Sequence, residues 1–277
     1  MLFMKKILIP TDFSKHAEYA LKVAAQIARK NGGEIILLHM LELPHQGSDA
    51  VGSGHDIPEI MFFKNAAIQR LEDLMDEPYL EGLKVSEIVQ FELAFDGILK
   101  ISKINNIDLI VMGSHGANGF KEMFIGSNAE KVVRNSDVPV LIIKQEDDDF
   151  NVNDFVFASD FSDEIKKPFA KAVEFANKFD ATLHLVTINT PNNFRSTATS
   201  EKTMKNFMQG FDIKKYQMHI YNENNVEKGI LRFAKSINAD LIGMSTHGRK
   251  GLSHFFNGSI SEDLVNHAHR PVVTFKI

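Results

Sequence analysis

The chain repeats itself, and that repeat constrains its fold more than any other feature. Ile7–Ser14 (ILIPTDFS) returns as Phe155–Ser162 (FVFASDFS) 148 positions later, and Glu34–Met40 (EIILLHM) aligns with Thr182–Ile188 (TLHLVTI) at the same spacing. Further on, Ile107–Gly116 (IDLIVMGSHG) matches Ala239–Gly248 (ADLIGMSTHG) at a spacing of 132. Gly126-Ser127 matches Gly258-Ser259, and Val138–Val140 matches Arg270–Val272, both again at 132. A chain of 277 residues suits two units of ordinary domain size. We expect a first domain over 1–145 and a second over 151–277. The acidic stretch Gln145–Asp149 is the expected linker, a solvated connection that packs against nothing. The drop in spacing places an insert in the first copy, over the Gly-, Ser-, His- and Pro-containing segment Pro44–Pro58.

Within a copy, strand and helix patterns alternate. Phe3–Ile9 is an apolar run suited to a strand covered on both faces. Ser14 opens a helix whose Ala17, Ala20, Leu21, Ala24, Ile27 and Ala28 recur at helical spacing, and Asn31–Gly33 ends it. Strands follow at Ile35–Met40, Val85–Phe91, Leu109–Met112 and Val140–Ile143, with helices at Glu59–Met75, Gly97–Asn105 and Ser127–Asn135. In the second copy a strand starts near Phe155, a helix starts at Ser162, and strands lie near Leu183, Tyr216–Tyr221, Leu241 and Val272. This alternation predicts an α/β fold, with two tandem doubly wound parallel five-stranded sheets. The fifth strands, Val140–Ile143 and Val272–Phe275, are apolar edges that need a cover, and each is the expected cover of the other.

Composition narrows the function. The absence of cysteine excludes disulfides, thiolate metal sites and a cysteine nucleophile, and it fits a reducing compartment. No run approaches the ~18 apolar residues of a membrane helix, and the first residues read as a strand, so a cytoplasmic location is expected. The net charge is −5. Residues 1–148 carry 15 Lys and Arg against 22 Asp and Glu, and the remainder carries 16 against 14. Neither half has the basic footprint of a nucleic-acid binder.

Three blocks in each copy fall just after strands, where doubly wound sheets bind ligands. The first is Pro10-Thr11-Asp12, echoed by Ala158-Ser159-Asp160. An aspartate there can accept from a ribose or hold Mg²⁺, or it can cap the next helix. The second is the glycine loop Gly113-Ser114-His115-Gly116, running on to Gly119. The third is Gly126-Ser127, where a helix N-terminus offers N–H groups to a phosphate. Ser127–Glu130 and Ser259–Glu262 also fit a capping box, which would leave Ser127 a purely structural role. Neither a P-loop lysine motif nor a G-x-G-x-x-G fingerprint is present. His45 and His55 lie in the insert, and His267 and His269 are two apart, so they do not share a helix face and no histidine metal cluster is expected. No nucleophile–base arrangement or carboxylate pair marks a catalytic centre, so no catalytic residue is assigned.

Gly113-x-x-Gly116, nine residues, then Gly126-Ser127 resembles the glycine pattern of ATP-binding universal stress proteins. The Pro10–Ser14 block, Leu38–Met40 and Val138–Val140 are similar to that family too, and the resemblance covers the chain twice. It implies the sheet order 3-2-1-4-5 in each copy and a pseudo-twofold intramolecular dimer. It also implies a stress-response sensor or binding module that takes ATP or AMP. Adenine would lie at Met40, and the nucleoside along Pro10, Thr11 and Asp12, with Mg²⁺ near Asp12. Phosphates would lie at Met112, Gly113, His115, Gly116, Gly126, Ser127 and Asn128. In the second copy the matching positions are Asp160, Ile188, Met244, His247, Gly248, Gly258 and Ser259, but Ser245 replaces the first glycine. The first copy is therefore the expected better site, because a side chain at 245 would obstruct a phosphate or strain a left-handed backbone. The insert would act as a lid beside the nucleoside. A slow Mg-dependent ATP hydrolase and a nucleotide-free scaffold are the alternatives, with an unidentified protein partner and a homodimer of the tandem chain allowed by either.

Overall fold

The computed structural model describes residues 4–42, 56–114, 125–246 and 258–277; the side chains of 56, 57, 59 and 258–262 are outside the description. The first copy runs β1 (Lys6–Pro10), α1 (Lys15–Asn31), β2 (Glu34–Met40), α2 (Asp56–Met75), β3 (Lys84–Gln90), α3 (Ala94–Ile104), β4 (Leu109–Gly113), α4 (Ser127–Asn135) and β5 (Val140–Ile143). The second runs β6 (Asp154–Ala158), α5 (Lys166–Phe179), β7 (Thr182–Asn189), α6 (Thr197–Phe207), β8 (Tyr216–Asn222), α7 (Val226–Ser236), β9 (Leu241–Thr246), α8 (Gly258–His267) and β10 (Val272–Lys276).

Local chemistry sets the ends of these elements. Ser14 Oγ accepts from Ala17 N at 3.3 Å and caps α1. Gly32, left-handed at φ 61°, ends the helix and returns its N–H to Ala28 O. Asp108 and Asp240, equivalent in the repeat, do the same job at the opposite end of the sheet. Asp108 Oδ2 accepts from the amides of Lys5 and Lys6 at 2.8 and 3.0 Å, and Asp240 Oδ2 from those of Asn153 and Asp154 at 2.7 and 2.9 Å. Each clamps the start of its copy's central strand, far from the strand ends that carry ligands in such folds.

The strands form one sheet of ten in the order β3-β2-β1-β4-β5-β10-β9-β6-β7-β8. Pairing is parallel within each copy, in the order 3-2-1-4-5, and antiparallel where β5 meets β10. Register there pairs Ile142 with Val272, Leu141 with Val273 and Val140 with Thr274. The expected mutual cover of the fifth strands is realised by direct pairing into one continuous sheet, and all four residues of β5 are buried.

Helices lie on both faces, and each face holds one apolar cluster drawn from both copies. One contains Leu21, Ile27 and Leu71 together with Phe155, Phe169 and Phe207. The other contains Ile98, Val132 and Ile142 together with Ile230, Leu264 and Val272. In the first copy α1 packs mainly alanines, whereas the second copy fills the matching space with phenylalanines, including Phe157–Phe169 and Phe175–Phe179 ring contacts.

Several expectations are corrected. The linker is not free: Lys22 pairs with Glu146, Gln26 Nε2 donates to Asp147 O at 2.7 Å, and Phe150 N donates to Gln26 Oε1 at 2.6 Å. The polar face of α1 supplies the partners that an acidic backbone segment needs. Residues 56–58 of the insert lie inside α2, and residues 44–55, with His45 and His55, fall outside the described residues. The helix expected from Ser162 opens as a 3-10 turn over Asp163–Ile165 before α5 begins. Helix α6 was not read from the sequence; its Thr- and Ser-containing start is capped by Ser196, whose Oγ accepts from Thr199 N at 3.2 Å.

Candidate functional site

β1 lies between β2 and β4, so chain connections leave it in opposite directions at its C-terminal end. That is where a crevice opens in a doubly wound sheet. The residues after β1 build a tight turn from their own side chains. Thr11 Oγ1 accepts from Phe13 N at 3.0 Å, and Asp12 Oδ1 accepts from Ser14 N at 3.1 Å. Phe13 is left-handed at φ 62°. The second copy repeats the turn: Ser159 Oγ accepts from Phe161 N, Asp160 Oδ1 accepts from Ser162 N, and Phe161 has φ 57°. The aspartates therefore shape the turn rather than cap the helix; in the first copy Ser14 caps. Thr11 is further held by Thr11 N donating to Leu38 O at 2.8 Å and by His39 Nδ1 donating to Thr11 O at 2.8 Å.

Side-chain alternation divides the site between the two faces of the sheet. Met40, ending β2, and Met112, near the end of β4, point to the face that carries α3 and α4. The Met40 thioether lies over Gly97, where an added Cβ would be 2.1 Å from its Cε. In the second copy Ile188 lies over Gly229, with Cγ2 at 2.6 Å from the corresponding position. Gly97 and Gly229 are 132 apart, so the repeat contained this signal although it was not read.

Gly113 points the other way. An added Cβ would lie 2.5 Å from both the carbonyl carbon and the oxygen of His16 in α1. The glycine is needed because helix and strand backbones approach closely, and its φ is not positive. This removes the argument that Ser245 must obstruct a phosphate. Ser245 is fully buried within β9, and the residue matching His16 is Glu164, in the 3-10 turn that replaces the first turn of the helix.

Gly126 precedes α4 in extended conformation (φ −62°, ψ 147°), and its N–H donates to Ser114 O at 2.7 Å. Among the described residues no side chain caps α4, so the capping-box reading of Ser127–Glu130 is corrected: Gly126 is the cap residue and Ser127 is already in the first turn. The amides of Ser127 and Asn128 thus belong to the uncapped first turn, where the helix dipole is positive. Met244 is buried in β9. His115, Gly116, Gly119, His247 and Gly248 lie outside the described residues. Gly258 and Ser259 open α8, with side chains outside the description.

On the α1–α2 face, a cleft of about 220 Å³ lies between Phe13, Glu18, Leu21, Arg70 and Asp73, with Arg70 3.9 Å above the Phe13 ring. Among the described residues, no group of three or more His, Asp or Glu is placed to hold a metal, and no helix is long and apolar enough to cross a membrane.

A sequence model described as the universal stress protein family matches residues 4–144 and 152–276. Universal stress protein MJ0577 of Methanocaldococcus jannaschii is 34% identical over 154 residues, an alignment covering 51% of this chain and 95% of that protein. Universal stress protein Slr1230 of Synechocystis is 23% identical over 299 residues, covering 99% of this chain and 100% of that one. The crystal structure of a universal stress protein from Archaeoglobus fulgidus superposes with a TM-score of 0.75 at 24% identity, covering 99% and 98% of the two chains.

Proposed function

We propose a nucleotide-binding function for this chain, which belongs to the universal stress protein family. The ligand is an adenine nucleotide, ATP or AMP, seated at the C-terminal ends of β1, β2 and β4 of the first copy. The chain then acts as a sensor or binding module in a stress response.

The observation that carries this reading is the start of α4. Its cap residue is a glycine with no capping side chain, and it is tied back to β4 through Ser114. An uncapped helix start beside the switch point of the sheet offers amides and a positive dipole end to phosphate oxygens. Ser127 and Asn128 are the residues of that first turn. Thr11 and Asp12, fixed in their turn, are suited to line the ribose, and Met40 the base. A Mg²⁺ ion accompanying the phosphates would lie near Asp12. In the second copy Asp160, Ile188, Met244, Gly258 and Ser259 offer a matching but more enclosed arrangement, since Ile188 is buried where Met40 is partly exposed.

Mass spectrometry of the purified protein should find adenine nucleotide retained. Calorimetric titration of ATP into the wild type, Gly126→Val and Gly258→Val should lose most binding with the first substitution and little with the second. A wild type that neither retains nor binds nucleotide would refute the reading, and equal losses would reverse the ranking of the two sites.

A further inference from the structure

Ile125 immediately precedes the uncapped start of α4. Its side chain is buried, and its backbone N–H donates to Asn266 Oδ1 at 2.7 Å. Asn266 belongs to the other copy, at the C-terminal end of α8. Its own carbonyl oxygen accepts from Lys144 Nζ at 2.6 Å, from the residue that follows β5. The second copy thus offers an acceptor to the residue that leads into α4 of the first copy, and the first copy's Lys144 side chain holds that asparagine by its backbone carbonyl.

The contact runs in one direction. The repeat places Arg134 at the position of Asn266, and a guanidinium has five donors and no acceptor. The first copy cannot return the same bond to the second copy's loop. Helix α8 also begins at Gly258-Ser259, the second copy's own glycine-serine pair, so one helix joins that pair to Asn266.

We propose that Asn266 is a positioning residue for the first copy's nucleotide site, so that this site is complete only in the presence of the second copy. The inference rests on the nucleotide reading above and adds a residue to it. Asn266 does not touch the ligand. It fixes the Ile125 amide, and through it the path of the chain into Gly126 and the first turn of α4. A buried amide needs an acceptor, and among the described residues this side chain supplies it. Without it the Ile125 amide loses its fixed direction, and among the described residues the bond from Gly126 N–H to Ser114 O is left to hold the chain entering the first turn of α4.

The test uses the full-length chain as wild type, Asn266→Leu and Asn266→Asp. Leucine removes the acceptor at similar size; aspartate keeps an acceptor oxygen at the same reach. Amide hydrogen exchange without nucleotide should show Ile125 protected in the wild type, exposed in Asn266→Leu and protected again in Asn266→Asp. ATP titration should show roughly five- to tenfold weaker binding for Asn266→Leu, the effect of one lost hydrogen bond, and near-wild-type binding for Asn266→Asp. Asn266→Ser, too short to reach the amide, replaces the leucine variant if that fails to fold. Unchanged exchange at Ile125, or lost protection with unchanged ATP affinity, overturns the positioning role and leaves the nucleotide reading standing. Absence of ATP binding in the wild type overturns both.

Discussion

Leu141 and Val273 hold the same place in their respective repeats, 132 positions apart, and they face each other across the β5–β10 junction. The flanking pairs, Val140 with Thr274 and Ile142 with Val272, exchange under the same relation. The local twofold axis therefore passes between Leu141 and Val273. Lys144 and Lys276, also equivalent, follow it: Lys144 reaches Asn266 O, and Lys276 Nζ reaches Asn135 O at 3.0 Å, so each caps the last helix of the opposite copy.

Because both apolar clusters cross this axis, the two copies should unfold together. Leu141→Ala, at a fully buried site, should cost about 2–5 kcal/mol and lower the single midpoint of a urea denaturation followed by circular dichroism. Two separated transitions in the wild type would show that the copies are independent.

The glycine at 113 is required by α1, and the serine at 245 is tolerated by the 3-10 turn. Gly113→Ser should cost about 1–3 kcal/mol, since the new Cβ meets the backbone of His16 rather than a movable side chain. Ser245→Gly removes a buried hydroxyl without a partner among the described residues, but it adds backbone freedom. The net change should stay within about 1 kcal/mol. Thermal melts of the two exchanges, read side by side, check the asymmetry.

Gly97 and Gly229 should also part company. In Gly97→Ala the new methyl meets the end of the flexible Met40 side chain, which can move, so stability should fall by less than about 1 kcal/mol while ATP affinity declines. In Gly229→Ala it meets branched, buried Ile188, and stability should fall by about 1–3 kcal/mol. Melting curves and nucleotide titration of both variants separate the two effects.

Two half-buried bases, His219 and Lys144, give the fold a pH signature. His184 Nε2 donates to Asp154 Oδ1 at 2.7 Å, and its Nδ1 lies 3.1 Å from His219 Nε2, with the His219 ring also against Phe233. Burial, and then the neighbouring His184, hold His219 below its usual value of 6.5. The unfolded chain therefore takes up this proton first, and stability present above pH 6.5 is lost as the pH falls below it. His219→Gln, which keeps a donor for His184, should lose less on acidification than the wild type.

Burial likewise lowers Lys144 from 10.5 to about 8. Between these values the unfolded chain holds more protons, so wild-type stability should rise from pH 8 to 10.5 relative to Lys144→Met. Melting temperatures of the pairs across pH check both signs, and parallel curves would contradict them.

The repeat made the fold legible. Buried strands such as Leu109–Met112 and Val140–Ile143 are continuous apolar runs, and α1 carries its stripe, cap and stop within one segment. The blocks after the strands were legible as well, but what their residues do locally was not. Whether Asp12 caps, binds or shapes a turn depends on which amide lies within reach, and that is set by Phe13 adopting a left-handed backbone. Gly113 looked like a ligand glycine, yet the atom it makes room for is 97 positions earlier in the chain, in a helix whose approach no local pattern records. Asn266 was invisible for the same reason. Nothing in the sequence around it refers to Ile125, and the contact exists only once β5 and β10 have paired.

The antiparallel junction also changes what substitutions the protein can accept. In a pair formed by identical chains, every substitution appears on both sides of the axis at once, and an arrangement that works on only one side is excluded. Here the two sides lie on one polypeptide and are inherited separately. The second copy can carry Asp154, His184 and His219 where the first has Lys6, Ile36 and Ile88, and it can keep an asparagine at 266 opposite an arginine at 134. The joined chain retains the shape of a symmetric dimer while its halves are released from the obligation to remain alike.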